Sequence, residues 1–440
     1  MFIPTIQQFL NRNIKDDQST TILVGVSGGV DSVVLCHVLK SLEHNFAIAH
    51  MNFGLRGEDS DEDEKLVRDL SQELQVKYHV KSVDTSLEAQ EKGESIQMVA
   101  RSLRYDWFEA LCNEFDYTHI ATAHHQNDQV ETVILNLVRG SGIAGLRGMK
   151  HLQGNLIRPL LNVKKDELVA YANENGLFWR EDKSNDDVKY KRNLIRHKVI
   201  PLLEGANPRL IQTVARSADR LQEEEAVMIA YASLLKPKYV AVEDQLVKID
   251  LSNWFKKKGA SVVLYQWIKE FEFSYADVQR IVATGVETSG KQFYSKSHTL
   301  ACDRNQLVIT ANDDELDWEV SFDLNDGEVQ SPLGSLYIRK GVGDVELGKS
   351  TCVAHVDASK LDEELTLRTW REGDTFYPLG MSGKKKLSDF MIDNKIPVNL
   401  KNRIPLLCRG SDIVWVVGHR LDDRFKITEG TDEIIELEWI

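Results

Sequence analysis

The chain has 440 residues, 42% of them hydrophobic and 28% charged, with a formal net charge of −14. That composition belongs to a protein able to bury a sizeable core, and the length calls for two or three domains rather than one. The five cysteines are scattered with no Cys-x-x-Cys pair, and no apolar run is as long as a membrane span, so a disulfide framework, a zinc ribbon, an iron–sulfur site and a membrane protein are all disfavoured.

In chain order, Thr21 to Val26 reads as a strand and Asp31 to Glu43 as a helix, joined by Ser27-Gly28-Gly29. Glycines let backbone approach an oxyanion, and the free N–H groups of a first helical turn favour negative charge. The loop is not a Walker loop, because no Gly-Lys-Ser/Thr follows at the required spacing. Phe46 to Asn52 is a second strand, and it runs into a loop holding Arg56. His50, Asn52 and Arg56 can line an adenine pocket and aim a cation at phosphate, or the loop can simply face solvent.

A charged helix follows over Ser60 to Leu74, then a strand over Lys77 to Val83. Ser95 to Phe115 is an amphipathic helix with Ile96, Ala100, Leu103, Trp107 and Leu111 at helical spacing. Arg101 and Arg104 lie one turn apart on it, either a solvated face or an anion clamp. Thr118 to Ala123 is a fourth strand and Asp128 to Leu137 another helix. At their junction His125, Asp128 and Thr132 share a helix face and Glu131 adjoins it. Carboxylates there, opposite a phosphate loop, suit Mg²⁺ coordination and base chemistry, with Asp31 as a further metal ligand. A zinc site from His124, His125 and Asp128 is disfavoured, since adjacent residues at a strand end point in opposite directions.

Strand–helix alternation with short connections predicts an α/β fold with a doubly wound parallel sheet and ligands at the carboxyl ends of its strands. No proline occurs between Pro4 and Pro159, whereas Pro201 and Pro208 bracket a boundary. Arg209 to Leu235 reads as a long helix opening a mostly helical middle domain, and short strands and turns from Trp318 onward predict a small α+β domain. The expected divisions are residues 1–205, 206–315 and 316–440. No internal repeat is evident.

Positive charge is local. Lys183 to Lys198 carries six Lys/Arg against two Asp, as does Lys384 to Arg403. An acidic protein with such patches can still grip a phosphate backbone. Within the second patch Phe390, Met391 and Ile392 read as core.

The motifs together resemble the tRNA(Ile)-lysidine synthetase family of PP-loop ATP pyrophosphatases. They are Ser27-Gly28-Gly29-Val30-Asp31-Ser32, His50-Met51-Asn52-Phe53-Gly54-Leu55-Arg56, Ala100-Arg101-Ser102-Leu103-Arg104-Tyr105 and His124-His125-Gln126-Asn127-Asp128-Gln129-Val130-Glu131-Thr132. Ile157-Arg158-Pro159-Leu160-Leu161, Glu181-Asp182-x-Ser184-Asn185, Arg192-Asn193-x-x-Arg196, Arg371-Glu372-Gly373-Asp374, Lys385-Lys386-Leu387-Ser388-Asp389-Phe390 and Gly418-His419-Arg420 extend the match over nearly the whole chain. One departure is Phe53, where the family commonly has His.

With no membrane-length apolar run and no basic region leading into an apolar segment at Met1-Phe2-Ile3-Pro4, the chain reads as cytoplasmic. The resemblance implies a ligase that adenylates C2 of the wobble cytidine of a CAU anticodon in isoleucine tRNA and then joins free L-lysine to it, releasing AMP and pyrophosphate. Ser27, Gly28, Gly29, Val30, Asp31 and Ser32 would hold ATP, with Mg²⁺ on Asp31 and with His50 and Asn52 at the adenine. Arg56 and Arg104 would stabilise phosphate or the activated base, and Asp128 and Glu131 would hold and deprotonate the lysine ammonium. His125, Arg192 and Arg196 would contact substrate, and Lys384, Lys385 and Lys386 would position tRNA. Rival readings are a tRNA thiolase, a small-molecule amidating or NAD-forming enzyme, and a tRNA-binding module without catalysis. A homodimer is one option for an oligomeric state that the sequence leaves open.

Overall fold

The computed structural model describes residues 2–14, 20–55, 57–181, 191–243, 246–251, 257–284, 289–312, 317–341, 350–361 and 364–440. It divides into two compact units, Met1–Val227 and Met228–Ile440.

In the first unit, helix α1 (Ile3–Asn13) precedes strand β1 (Ile22–Gly25), α2 (Val30–Ser41), β2 (Phe46–Asn52), α3 (Glu58–Glu73) and β3 (Lys77–Ser82). Then come α4 (Thr85–Lys92), α5 (Ile96–Phe115), β4 (His119–Thr122), α6 (Gln126–Val138), α7 (Ile143–Leu146), β5 (Leu152–Gln153), β6 (Leu156–Ile157) and α8 (Lys165–Glu174). The sheet order is β3-β2-β1-β4-β6-β5, parallel except for β5, with Ile22 in register with Phe46 on one side and His119 on the other. Chain order reverses at β1, so the loops leaving β1 and β4 diverge and open a crevice at the strands' carboxyl ends.

Side-chain alternation divides the core between the two faces of the sheet. Ile22, Val24, Phe46 and Ile48 pack with α2, α3 and α8, while Leu23, Ala47 and Ala49 pack against Phe108, Leu111 and Cys112 of α5. A Cβ on Gly25 would stand 2.8 Å from the Phe108 ring, so glycine is what lets α5 close on β1. Helix α2 is buried through Val33, Val34, Leu35, Val38 and Leu39, each contributing roughly 1.5–3 kcal/mol by transfer from water. His37 and Tyr171 join α2 to α8 through a 2.9 Å hydrogen bond.

Three further helical segments follow: α9 (Lys191–Leu194), a π-helical stretch over Ile195–Val199, and α10 (Ile200–Ala206). Helix α11 (Leu210–Tyr239) crosses the division between the units.

The second unit holds the helical middle region, with α12 (Ala260–Ile268) and α13 (Tyr275–Thr284). Alongside them lies an antiparallel sheet, absent from the sequence reading, in which Leu246–Asp250, Gln306–Ala311 and His298–Asp303 are central. Its strands carry apolar runs such as Leu307-Val308-Ile309, too short for periodicity to distinguish strand from helix. Beyond residue 317 come a five-stranded and a four-stranded antiparallel sheet around Leu336, Leu367, Trp415 and Leu437. Among the described residues no helix is long and apolar enough to cross a membrane.

Candidate active site

The loop after β1 is shaped by its own hydroxyls. Gly28 adopts φ +88°, a conformation that side-chain-bearing residues rarely take. Ser32 Oγ donates to the Gly29 carbonyl at 2.9 Å and accepts from the Ser27 N–H at 3.3 Å. Gly29 caps α2 without a side chain, leaving the first-turn N–H groups of Val30 and Asp31 as anion donors. From outside, the Arg180 N–H donates to the Gly28 carbonyl at 3.1 Å. The Arg180 guanidinium grips Asp63 (2.8 Å) and Asp59 (3.0 Å) of α3, which straps the loop in place.

Beside the loop lies a cavity of about 210 Å³, walled by Gly25, Ser27, Ala49, Met51, Phe53, Arg104, Tyr105, Phe108 and His124, among others. That is below the roughly 300–1,000 Å³ of sites enclosing a whole ligand, so it suits one end of a nucleotide with the phosphates outside on the loop. The Arg104 guanidinium sits 5.0 Å from the Phe53 ring centre, and burial lowers its pKa from the free arginine value. In the wall His124 accepts from or donates to Thr122 Oγ1 at 2.9 Å, and burial brings its pKa down to about 4, so it is neutral at pH 7.

Two residues expected to meet adenine, His50 and Asn52, do not line this cavity. Ala49, Met51 and Phe53 face the cavity, so the alternation of β2 turns His50 and Asn52 to the opposite face. His50 Nδ1 lies 2.9 Å from the Val26 carbonyl, and burial depresses its pKa below that of free histidine. Asn52 donates to Asp61 at 3.0 Å and accepts from the Gly54 N–H at 3.0 Å, shaping the loop rather than the pocket. Arg56 lies outside the described residues, as do Asp182, Ser184 and Asn185.

Across the crevice, at the start of α6, the Asp128 carboxylate reaches back to the His125 N–H at 3.0 Å. His125 Nε2 lies 3.4 Å from Asp128 Oδ2 and 3.7 Å from Asp31 Oδ2, so a single imidazole bridges the phosphate loop and α6. Thr132 spends its hydroxyl on the Asp128 carbonyl at 2.8 Å. Helix α9 presents Arg192, and the π-helical stretch after it presents Arg196, to the same carboxylates. Arg192 reaches Asp128 at 3.0 Å and Glu131 at 2.6 Å, and Arg196 holds Glu131 through Nε at 2.5 Å.

Burial alone would raise the Asp128 pKa, yet His125 and Arg192 together with the backbone N–H hold it at about 2. Such a carboxylate anchors a cation well and removes a proton poorly. Glu131, 1% exposed, is already engaged by two guanidinium groups. Both carboxylates proposed to hold and deprotonate an ammonium are thus paired with guanidinium groups in this structure.

Asp31 is met by a residue the sequence reading did not single out. Lys165 Nζ lies 2.8 Å from both Asp31 oxygens. The available signal was a basic pair, Lys164-Lys165, just past the carboxyl end of β6. Mg²⁺ commonly takes one or two carboxylates and completes its shell with substrate phosphates and water. Among the described residues no group of three or more His, Cys, Asp or Glu could hold a metal. Asp31 is the carboxylate at the phosphate loop that an ion carried on a nucleotide would meet.

Of the expected tRNA-facing lysines, Lys384 and Lys386 are exposed, whereas Lys385 is partly covered and paired with Asp393. On the adjoining helix α14 (Leu387–Asp393), Phe390 and Met391 are buried but Ile392 is 61% exposed, against the core reading.

Comparison with known proteins adds an independent line. Residues 3–203 match a PP-loop domain, 242–312 a TilS substrate binding domain, and 365–439 a TilS substrate C-terminal domain. A tRNA(Ile)-lysidine synthase from Parabacteroides distasonis is 37% identical over 439 residues, covering 100% of both chains. One from Bacteroides thetaiotaomicron is 35% identical, covering 98% of this chain and 99% of its own. Among solved structures, the U34-tRNA thiolase NcsA from Methanococcus maripaludis, with its 4Fe-4S cluster, is 19% identical with a TM-score of 0.42. It covers 50% of this chain and 77% of that one.

Proposed function

The chain belongs to the tRNA(Ile)-lysidine synthase family, and on that premise we propose that it joins free L-lysine to C2 of the wobble cytidine of isoleucine tRNA bearing a CAU anticodon. ATP adenylates the cytidine oxygen and pyrophosphate leaves. The lysine ε-ammonium gives up a proton to solvent, the resulting amine attacks C2, and AMP departs with the C2 oxygen.

The single observation supporting this reading is the His125 bridge. It puts a carboxylate of the phosphate loop and a carboxylate suited to an ammonium within one imidazole of each other. The phosphates lie on Ser27 to Ser32, where backbone N–H groups offset charge as it develops on the departing pyrophosphate. Asp31 would hold a Mg²⁺ ion carried on ATP, and that ion would supply neutralisation of the triphosphate charge. The cavity takes the adenine end, and Arg104 faces the reacting base or phosphate from its wall. Asp128 and Glu131 hold the lysine ammonium, with Arg192 and Arg196 yielding part of their ion pairing as it enters.

The test is incubation of the protein with ATP, Mg²⁺, radiolabelled lysine and unmodified isoleucine tRNA bearing CAU. Stable, ATP-dependent label in the RNA, lost in Asp31→Ala, is the expected result. Release of AMP and pyrophosphate without label in RNA would keep adenylation and discard lysine as the acceptor.

A further inference from the structure

We propose that Lys165 is a ligand of the ATP β- and γ-phosphates, parked on Asp31 until the nucleotide arrives. This rests on the ATP-dependent reading above and deepens it by naming a phosphate contact outside the glycine loop.

Lys165 opens α8, where the helix dipole is positive, so its ammonium stands at the end that disfavours a cation and requires an anionic partner. Its root is fixed, because its N–H donates to Asn127 Oδ1 at 3.2 Å, one residue before Asp128. Its tip is not fixed, since a lysine head is a point charge on a flexible stem. The pair is open to water, with side chains 37% and 25% exposed, and such pairs are weak enough to exchange partners.

The neighbouring cations have their partners outside the phosphate loop. Arg192 and Arg196 hold Asp128 and Glu131, and Arg180 holds Asp59 and Asp63. Lys165 alone among these has as its partner a carboxylate in the phosphate loop itself. A triphosphate on that loop offers a denser negative charge than Asp31 within reach of the same ammonium. Transfer of Lys165 to phosphate also frees the Asp31 oxygens that the incoming Mg²⁺ needs.

The experiment is calorimetric titration of the full-length chain with inorganic pyrophosphate, ATP and AMP, with and without Mg²⁺. Lys165→Ala is expected to weaken ATP and pyrophosphate binding about ten- to a hundredfold, the effect of losing a charge-assisted contact, while AMP affinity stays within about twofold. Lys165→Arg should restore most of the loss. Asp31→Asn, which releases the ammonium, should tighten pyrophosphate binding when Mg²⁺ is absent. Unchanged pyrophosphate affinity in Lys165→Ala, or an equal loss for AMP and ATP, would overturn the assignment and leave Lys165 a support for Asp31. A wild-type chain that binds neither ATP nor pyrophosphate would sink the ATP-dependent reading and this inference with it.

Discussion

Glu131 and Arg196 form a two-point ion pair, Nε to Oε1 at 2.5 Å and Nη2 to Oε2 at 3.1 Å, on a carboxylate only 1% exposed. The guanidinium groups on it remain 33–40% exposed, so they can be rehydrated when the carboxylate is lost. Glu131→Gln should therefore cost about 2 kcal/mol, less than the ~3–5 kcal/mol of a fully buried pair. In a unit of this size that is about 4–8 °C in Tm by calorimetry. Lysine incorporation should fall at least about tenfold, since both arginines lose their anchor. An unchanged Tm would mean the pair is not formed in solution. Arg196→Lys should also fail, because an ammonium cannot reproduce the two-point fork.

Asp128 predicts a specific acid limb. Its folded pKa of about 2 lies below the usual carboxylate value of 3.8, so its stabilising contribution is present above pH 4 and fades as pH falls toward 2. The stability gap between wild type and Asp128→Asn should therefore shrink by about 2 kcal/mol between pH 5 and pH 2 in urea titrations. A gap that stays constant with pH would show that the carboxylate is not held down.

Phe53 and Arg104 meet face-on inside the cavity. Cation–π contacts of this kind are worth about 1–2 kcal/mol when partly desolvated, so Phe53→Ala should raise the KM for ATP roughly tenfold. Phe53→His, which restores an aromatic ring and the residue common in the resembling family, should stay within about threefold. A large loss in Phe53→His would mean that the phenyl ring itself is read.

The C-terminal lysines are not equivalent. Lys384 and Lys386 are exposed, while Lys385 is spent on Asp393. Lys384→Ala with Lys386→Ala should weaken binding to tRNA and reduce the slope of log affinity against log salt by about 1–2. Lys385→Ala should do less, and ATP binding should not move. Equal effects at all three positions would remove the distinction.

Much of this protein is legible without coordinates. The β-branched run before Ser27-Gly28-Gly29, the periodicity of Ile96 to Phe115 and the strand before His124-His125 are local signals. Each states its element and the side on which a phosphate or carboxylate must emerge, because backbone preference and side-chain period act over a few residues. The short apolar strands of the middle region carry no such period, and they were missed.

What the folded structure alone decides is partnership. His50 and Asn52 sit beside cavity residues in sequence, yet a period of two sends them to the opposite face. Asp128 and Glu131 meet Arg192 and Arg196, some sixty residues on, as partners that sequence order does not announce. Lys165 reaches Asp31 from 134 residues away. Protonation and charge balance depend on distances of a few ångströms between segments remote in the chain, and one-dimensional order does not encode such distances.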